Sequence, residues 1–131
     1  MKPDISTAED VKLLLDVFYA KVLHDKTISY FFTEIAQIDL QKHMPHLHSF
    51  WMSLLFNTAG YTGNPILKHI ALDKKEPLTD DHFAQWIKLF FETIDELFEG
   101  AMADKAKEKA KPMEFLMKMK IGDSRKPGFI Q

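Results

Sequence analysis

The sequence predicts an all-α protein. Apolar side chains recur at three- and four-residue spacing through each long segment, and no segment alternates apolar with polar residues as a half-buried strand does. Glycine and proline punctuate these segments and stay out of them, with Pro112 the exception.

The elements follow in order. Ser6-Thr7-Ala8-Glu9 reads as a capping box, with a hydroxyl accepting from the N–H three residues on and Glu9 reaching back. Val11, Leu14, Leu15, Phe18 and Val22 then form one stripe, giving a helix from about Thr7 to His24. Ile28 to Ile35, with Tyr30, Phe31 and Phe32, reads as one short helix. The next helix covers about Gln41 to Thr58, with Leu47, Phe50, Trp51, Leu54 and Leu55 on one face. Pro45 has no N–H to donate and belongs in a first turn, which starts the regular helix near Lys42 or His43.

Residues 59–65 form a loop with two glycines and a proline, and a short turn or helix at Ile66–Ile70 leads into a polar loop over 73–78. Thr79 caps a fourth helix with Asp80 and Asp81 in its first turn, where the helix dipole favours them. Its buried face is Phe83, Trp86, Ile87, Phe90, Ile94, Leu97 and Phe98, and Gly100 ends it. A last helix spans about Ala101 to Ile121, where Pro112 should kink or split it at a cost of about 3 kcal/mol. Residues 1–122 read as one domain and 123–131 as a frayed tail.

Composition narrows the chemistry. The chain has 131 residues, with 46% hydrophobic residues, enough for one real core. It has no cysteine, which excludes disulfides, a thiol nucleophile, thiolate zinc and a protein-held iron–sulfur cluster. A net charge of -2 gives no global case for nucleic acid or an anionic membrane. No apolar run approaches the roughly 20 residues that span a bilayer, and Met1-Lys2-Pro3-Asp4 lacks the apolar stretch of a secretory signal. The expectation is a cytoplasmic monomer without nucleic-acid or membrane partners.

The six histidines carry the chemical interest. His24 and His82 sit near helix ends and read as solvated or capping. His43 and His46 share a helical face while His48 points elsewhere; two converging ligands fall short of a zinc site, so a half-exposed histidine-rich turn is favoured. His69 lies among Ile66, Leu67, Ile70 and Leu72, where a satisfied core histidine is the commoner outcome. Tyr19 and Trp86 each bring one polar atom to an apolar face and need a partner if buried.

Taken in order, Phe18-Tyr19-Ala20-Lys21-Val22, Lys42-His43-Met44-Pro45, Phe50-Trp51, Tyr61-Thr62-Gly63-Asn64-Pro65, His69 and His82-Phe83-Ala84-Gln85-Trp86-Ile87-Lys88-Leu89-Phe90 closely resemble group III truncated haemoglobins. The resemblance covers about Ile5 to Ile121. It implies a truncated globin, a two-over-two helical sandwich around haem b, with His69 binding iron through Nε2 and donating its other N–H to a backbone carbonyl. It implies Tyr19, His43 and Trp86 as distal polar groups, with His43 free to point in, gate the pocket or reach the iron. Phe18, Phe32, Met44, Leu47, Phe50, Leu72, Phe83 and Phe90 are the implied apolar contacts, and His46 and Lys68 the propionate partners.

The implied function is binding of oxygen and nitric oxide, with tight holding or ligand chemistry favoured over transport. A nitric-oxide dioxygenase or peroxidase-like activity is the enzymatic alternative, and it requires a separate reductase because no flavin or nicotinamide motif is present. A haem-free helical interaction or sensor module is the other.

Overall fold

The computed structural model describes all residues except Met1, Ile38, Gly60, Thr62, Asn64 and 127–131, together with the side chain of Leu40. Among the described residues five α-helices follow one another: α1 (Ala8–His24), α2 (Leu40–Phe56), α3 (Pro65–Lys75), α4 (Asp80–Leu97) and α5 (Ala101–Ser124). A π-helical turn at Phe31–Ile35 joins α1 to α2, closed by Ala36 N–H donating to the Phe31 carbonyl at 2.8 Å. There are no strands among the described residues. The α1–α2 pair lies on the α4–α5 pair, α1 against α4 and α2 against α5, while α3 packs on α5. This is the two-over-two sandwich.

The predicted stripe of α1 forms the centre of the core: Val11, Leu14, Leu15, Phe18 and Val22 are all essentially inaccessible. They meet Trp51 and Leu55 of α2, Leu89, Phe90 and Ile94 of α4, and the small Ala103, Ala106 and Ala110 of α5. The alanines recur at three- and four-residue spacing and let α5 approach closely. A second cluster joins Phe31, Ile70, Leu78, Phe83, Met117 and Ile121.

Several boundaries differ from the sequence expectation, each for a local reason. The capping box of α1 is formed by Thr7 and Asp10, one residue later than Ser6 and Glu9: Thr7 Oγ1 accepts from Asp10 N–H at 3.1 Å and Asp10 accepts from Thr7 N–H at 3.0 Å. Asp39 caps α2 by accepting from Gln41 N–H at 3.1 Å, so Pro45 stands at the sixth residue of the helix and outside the first turn. Pro112 likewise lies within an unbroken α5. Each proline deprives a carbonyl four residues back of its donor, but Gln41, Pro45, Glu108 and Pro112 all face solvent, where water serves those carbonyls.

Helix α3 continues through Asp73, Lys74 and Lys75 into the predicted loop, and the short helix expected over Ile28–Ile35 is helical from Ser29, taking π geometry over Phe31–Ile35. Gly100 is the N-cap of α5, two residues beyond the C-cap of α4. Its φ of 145° is in the left-handed half of the map, and a Cβ there would come 2.5 Å from Asp4 Cγ. That closeness lets the Asp4 carboxylate accept from Met102 and Ala103 N–H at 3.0 and 2.9 Å, satisfying two donors at the start of α5. At the other end, Asp123 and Ser124, expected in a tail, extend α5. The remainder of that tail, 127–131, lies outside the described residues.

Candidate functional site

A cleft of about 480 Å³ opens between the two clusters, within the roughly 300–1,000 Å³ typical of small-molecule sites. Its walls come from α1 (Tyr19), α2 (Leu47, Phe50, Trp51), α3 (His69, Leu72), α4 (Phe83, Trp86) and α5 (Met113, Met117). The walls are mostly aromatic and aliphatic; the polar atoms are few and specifically placed.

His69 sits on the second turn of α3. Pro65 opens that helix, where its missing N–H is not needed, and its carbonyl lies 2.6 Å from His69 Nδ1. A carbonyl only accepts, so Nδ1 carries the hydrogen and donates. In the neutral ring this makes Nε2 a lone-pair atom, and it has no protein partner among the described residues. Burial lowers the His69 pKa and Lys68 adds to that, against the opposing hydrogen bond to Pro65. The imidazole is therefore held neutral, in one tautomer and one orientation.

Tyr19, buried on α1, lines the same cleft. Its ring is gripped edge-on by Phe18 at 4.9 Å and Phe32 at 5.8 Å between centroids. Burial pushes the Tyr19 hydroxyl well above its ordinary pKa, so it stays protonated and can donate. Trp86 lies flat on Phe90, 5.3 Å apart at 11°. Neither the Tyr19 hydroxyl nor the Trp86 N–H hydrogen-bonds to a described protein group. No sealed side-chain nitrogen or oxygen among the described residues lacks a partner, so these two unpaired donors border the open space of the cleft.

His43 is half-buried and lines both the cleft and an outer depression shared with Asp39, Lys42 and His46. It stands at their boundary. Burial lowers its pKa first, and Lys68, His46 and His69 reinforce the shift. Exposed Lys68 and Lys75 give the rim a cationic edge, with the His46 ring beside them on the lining.

No family model matches the chain. Among curated proteins, group 3 truncated hemoglobin ctb of Campylobacter jejuni is 28% identical over 105 residues, covering 78% of this chain and 80% of that protein. Among solved structures, the crystal structure of a group III truncated hemoglobin from Campylobacter jejuni superposes with a TM-score of 0.78 at 26% identity, covering 99% of this chain and 100% of that one. By sequence and by fold the chain is similar to group III truncated haemoglobins.

On this truncated-globin fold the sequence-derived residues fall into two groups. Tyr19, Phe32, His43, His46, Leu47, Phe50, Lys68, His69, Leu72, Phe83 and Trp86 all line the cleft. Phe18, Met44 and Phe90 do not. Phe18 and Phe90 are fully buried behind the wall: Phe90 stacks on Trp51 at 4.8 Å and Phe18 meets it edge-on at 5.1 Å. They support the lining rings instead of forming the lining, and Met44 packs into the same core.

Sequence reasoning missed Tyr61, which closes the cleft beside Phe50 at 5.0 Å between rings, and the inner residues Met113 and Met117 of α5. The four-residue spacing of those methionines was the available signal. His82 is a cap, as read: its Nδ1 accepts from Thr79 N–H at 2.9 Å, with Tyr30 hydroxyl 3.2 Å from Nε2. His24 Nδ1 lies 2.8 Å from the Ala20 carbonyl within α1, and His48 Nε2 lies 2.8 Å from the Ala8 carbonyl, tying α2 to the start of α1. No cluster of three or more histidine or carboxylate ligands converges among the described residues.

Proposed function

We propose that the cleft takes haem b, which His69 would hold through its Nε2, and that the protein binds oxygen and nitric oxide there, holding or transforming them in preference to delivering them. The observation that carries this reading is the His69 ring: neutral, fixed by Pro65, and with an Nε2 that has no partner among the described residues, in a cleft of aromatic and aliphatic walls. A merely structural histidine has no need of a free Nε2 beside open space.

The remaining side chains fit the group. Leu47, Phe50, Leu72 and Phe83 offer apolar contact to a macrocycle, and Lys68, as a cation, and His46, as a hydrogen-bonding ring, would meet its carboxylates. Haem, when bound, supplies an iron centre that takes up diatomic gases. Tyr19 and Trp86, which line the same cleft, would then supply O–H and N–H donors to negative charge on a bound diatomic ligand. Each such hydrogen bond contributes about 1–3 kcal/mol, and 1.4 kcal/mol is tenfold in an equilibrium constant. Two donors together favour slow release. His43, held largely neutral, can accept or donate at the boundary between the cleft and solvent.

The test is reconstitution with haem and absorption spectra of the ferric, ferrous and oxygen-exposed protein. A Soret band and a five- or six-coordinate ferrous spectrum are expected, with His69→Ala changing the ferrous spectrum. Absence of a Soret band, or an unchanged ferrous spectrum in His69→Ala, overturns the reading.

A further inference from the structure

Helix α5 has two apolar faces. The inner one, with Ala103, Ala106, Ala110, Met117 and Ile121, is buried. The outer one has no partner among the described residues: Pro112, Phe115, Leu116 and Met119 follow at the spacing of a single helical stripe, and all four are exposed, Phe115 at 69%. Charge on this segment is also segregated. Between Asp104 and Lys126 stand eight basic and four acidic residues, within a chain whose net charge is -2. Lys109 and Lys120 flank the stripe on one side and Lys111 and Lys118 on the other, while Glu108 closes it one turn toward the N-terminus. Lys118 is paired with Glu114 at 3.3 Å, and Lys111 lies over the Phe91 ring; Lys109 and Lys120 have no described ion-pair partner.

We propose that this outer face of α5 docks the protein on an anionic lipid surface, with Phe115, Leu116 and Met119 entering the interfacial layer and Lys109, Lys111 and Lys120 meeting the headgroups. Area and charge select this occupant. Four side chains along roughly 10 Å of one helix make a convex ridge, far short of the roughly 800 Å² per partner of a stable protein interface. An antiparallel pairing of two copies through the stripe would set each lysine flank against its own counterpart, which repels. A lipid surface needs no complementary groove. It takes an aromatic ridge directly, and flexible lysine stems keep their ammonium groups at headgroup level. No described helix is long and apolar enough to cross a membrane, so the contact is peripheral. Because Met113, Glu114 and Met117 line the cleft from the same helix, docking would bring the cleft within about one helix diameter, roughly 10–12 Å, of the lipid.

The experiment is co-sedimentation of the full-length protein with vesicles of phosphatidylcholine alone, and with about a third of it replaced by phosphatidylglycerol. Binding is expected only to the anionic vesicles, falling steeply with added salt. Phe115→Gln with Met119→Gln, and separately Lys109→Glu with Lys120→Glu, should each reduce it at least fivefold. All of these residues are exposed, so an unchanged circular dichroism spectrum and melting temperature certify the variants. No binding to anionic vesicles, or binding unaffected by the Phe115 and Met119 changes, overturns the proposal. So does concentration-dependent dimerisation in ultracentrifugation that those changes abolish, since a second copy would then be the occupant.

Discussion

On the α1–α2–α4 side of the cleft, Phe18, Trp51, Trp86 and Phe90 interlock as stacked and edge-on rings, with Tyr19 held against them. On the α3–α5 side a thinner cluster around Ile70, Met117 and Ile121 is supplemented by a polar latch. There Arg125 donates to both Asp73 oxygens at 3.0 and 2.5 Å and to the Leu78 carbonyl at 2.9 Å, while Asp73 also accepts from Leu78 N–H at 2.8 Å. The first wall is positioned by packing, which is insensitive to pH and salt. The second, which carries His69, is tied at its far end by charge. A short helix with little apolar surface needs such a tether, because packing alone constrains it weakly.

The largest effect should come from the packed wall. Phe90→Ala removes a side chain with no exposure and leaves a cavity beside two tryptophans and Phe18. A loss of about 3–5 kcal/mol is expected, read from the urea unfolding midpoint. A loss below about 1 kcal/mol would show that the rings repack freely and that the wall is not the rigid partner in the comparison.

Next comes a change that separates scaffold from donor within that wall. Tyr19→Phe keeps the ring and deletes a hydroxyl with no described protein partner, so stability should hold or rise slightly. Ligand release from the haem-loaded protein should accelerate roughly tenfold to a hundredfold, corresponding to about 1–3 kcal/mol. Flash photolysis or stopped-flow measures it. An unchanged release rate would remove Tyr19 from the ligand's surroundings.

The latch should yield a smaller and pH-dependent change. Arg125 holds the Asp73 carboxyl below its ordinary pKa of 3.8, first through its hydrogen bond, with Leu78 N–H assisting. A depressed carboxyl pKa stabilises the fold at pH values above the unfolded-state pKa, and the contribution disappears as pH falls through the native value. Arg125→Ala should therefore cost about 1.5 kcal/mol near neutrality, the low end for a charged hydrogen bond because the arginine is half exposed. The loss of melting temperature below about pH 4 should also be shallower than in the parent. An identical acid limb in parent and variant would mean that the latch does not hold α3.

Most of the packed wall was legible in the sequence because helical periodicity reports which face is buried, and Phe18, Trp86 and Phe90 fall on such faces. Periodicity does not report depth. It could not separate Phe90, behind the wall, from Phe83, on the cleft, because both belong to the same stripe of α4. Convergence was equally hidden: that His69, Tyr19 and Trp86 border one cleft depends on how three helices cross, and only the ordered resemblance to a family implied it. The Asp73–Arg125 latch gave no signal, since the two residues are 52 positions apart and each alone resembles a solvated charge.

The smallest effect lies at the start of α1, where the sequence admitted two capping boxes. Ser6 with Glu9 and Thr7 with Asp10 both have acceptable spacing, and the structure chooses the second. The choice follows from the core: Ile5 is 1% exposed and Val11 fully buried, and starting the helix at Ala8 turns the Val11–Leu14–Leu15–Phe18 stripe inward while the chain before it anchors Ile5. Thr7→Ala should then cost about 1 kcal/mol. Glu9→Ala should change stability by only a few tenths, well within the ±0.5 kcal/mol typical of surface substitutions. Thermal unfolding of the two variants, side by side, discriminates them. Equal losses would mean that both boxes form in alternation and that α1, the central helix of the packed wall, frays at its first turn.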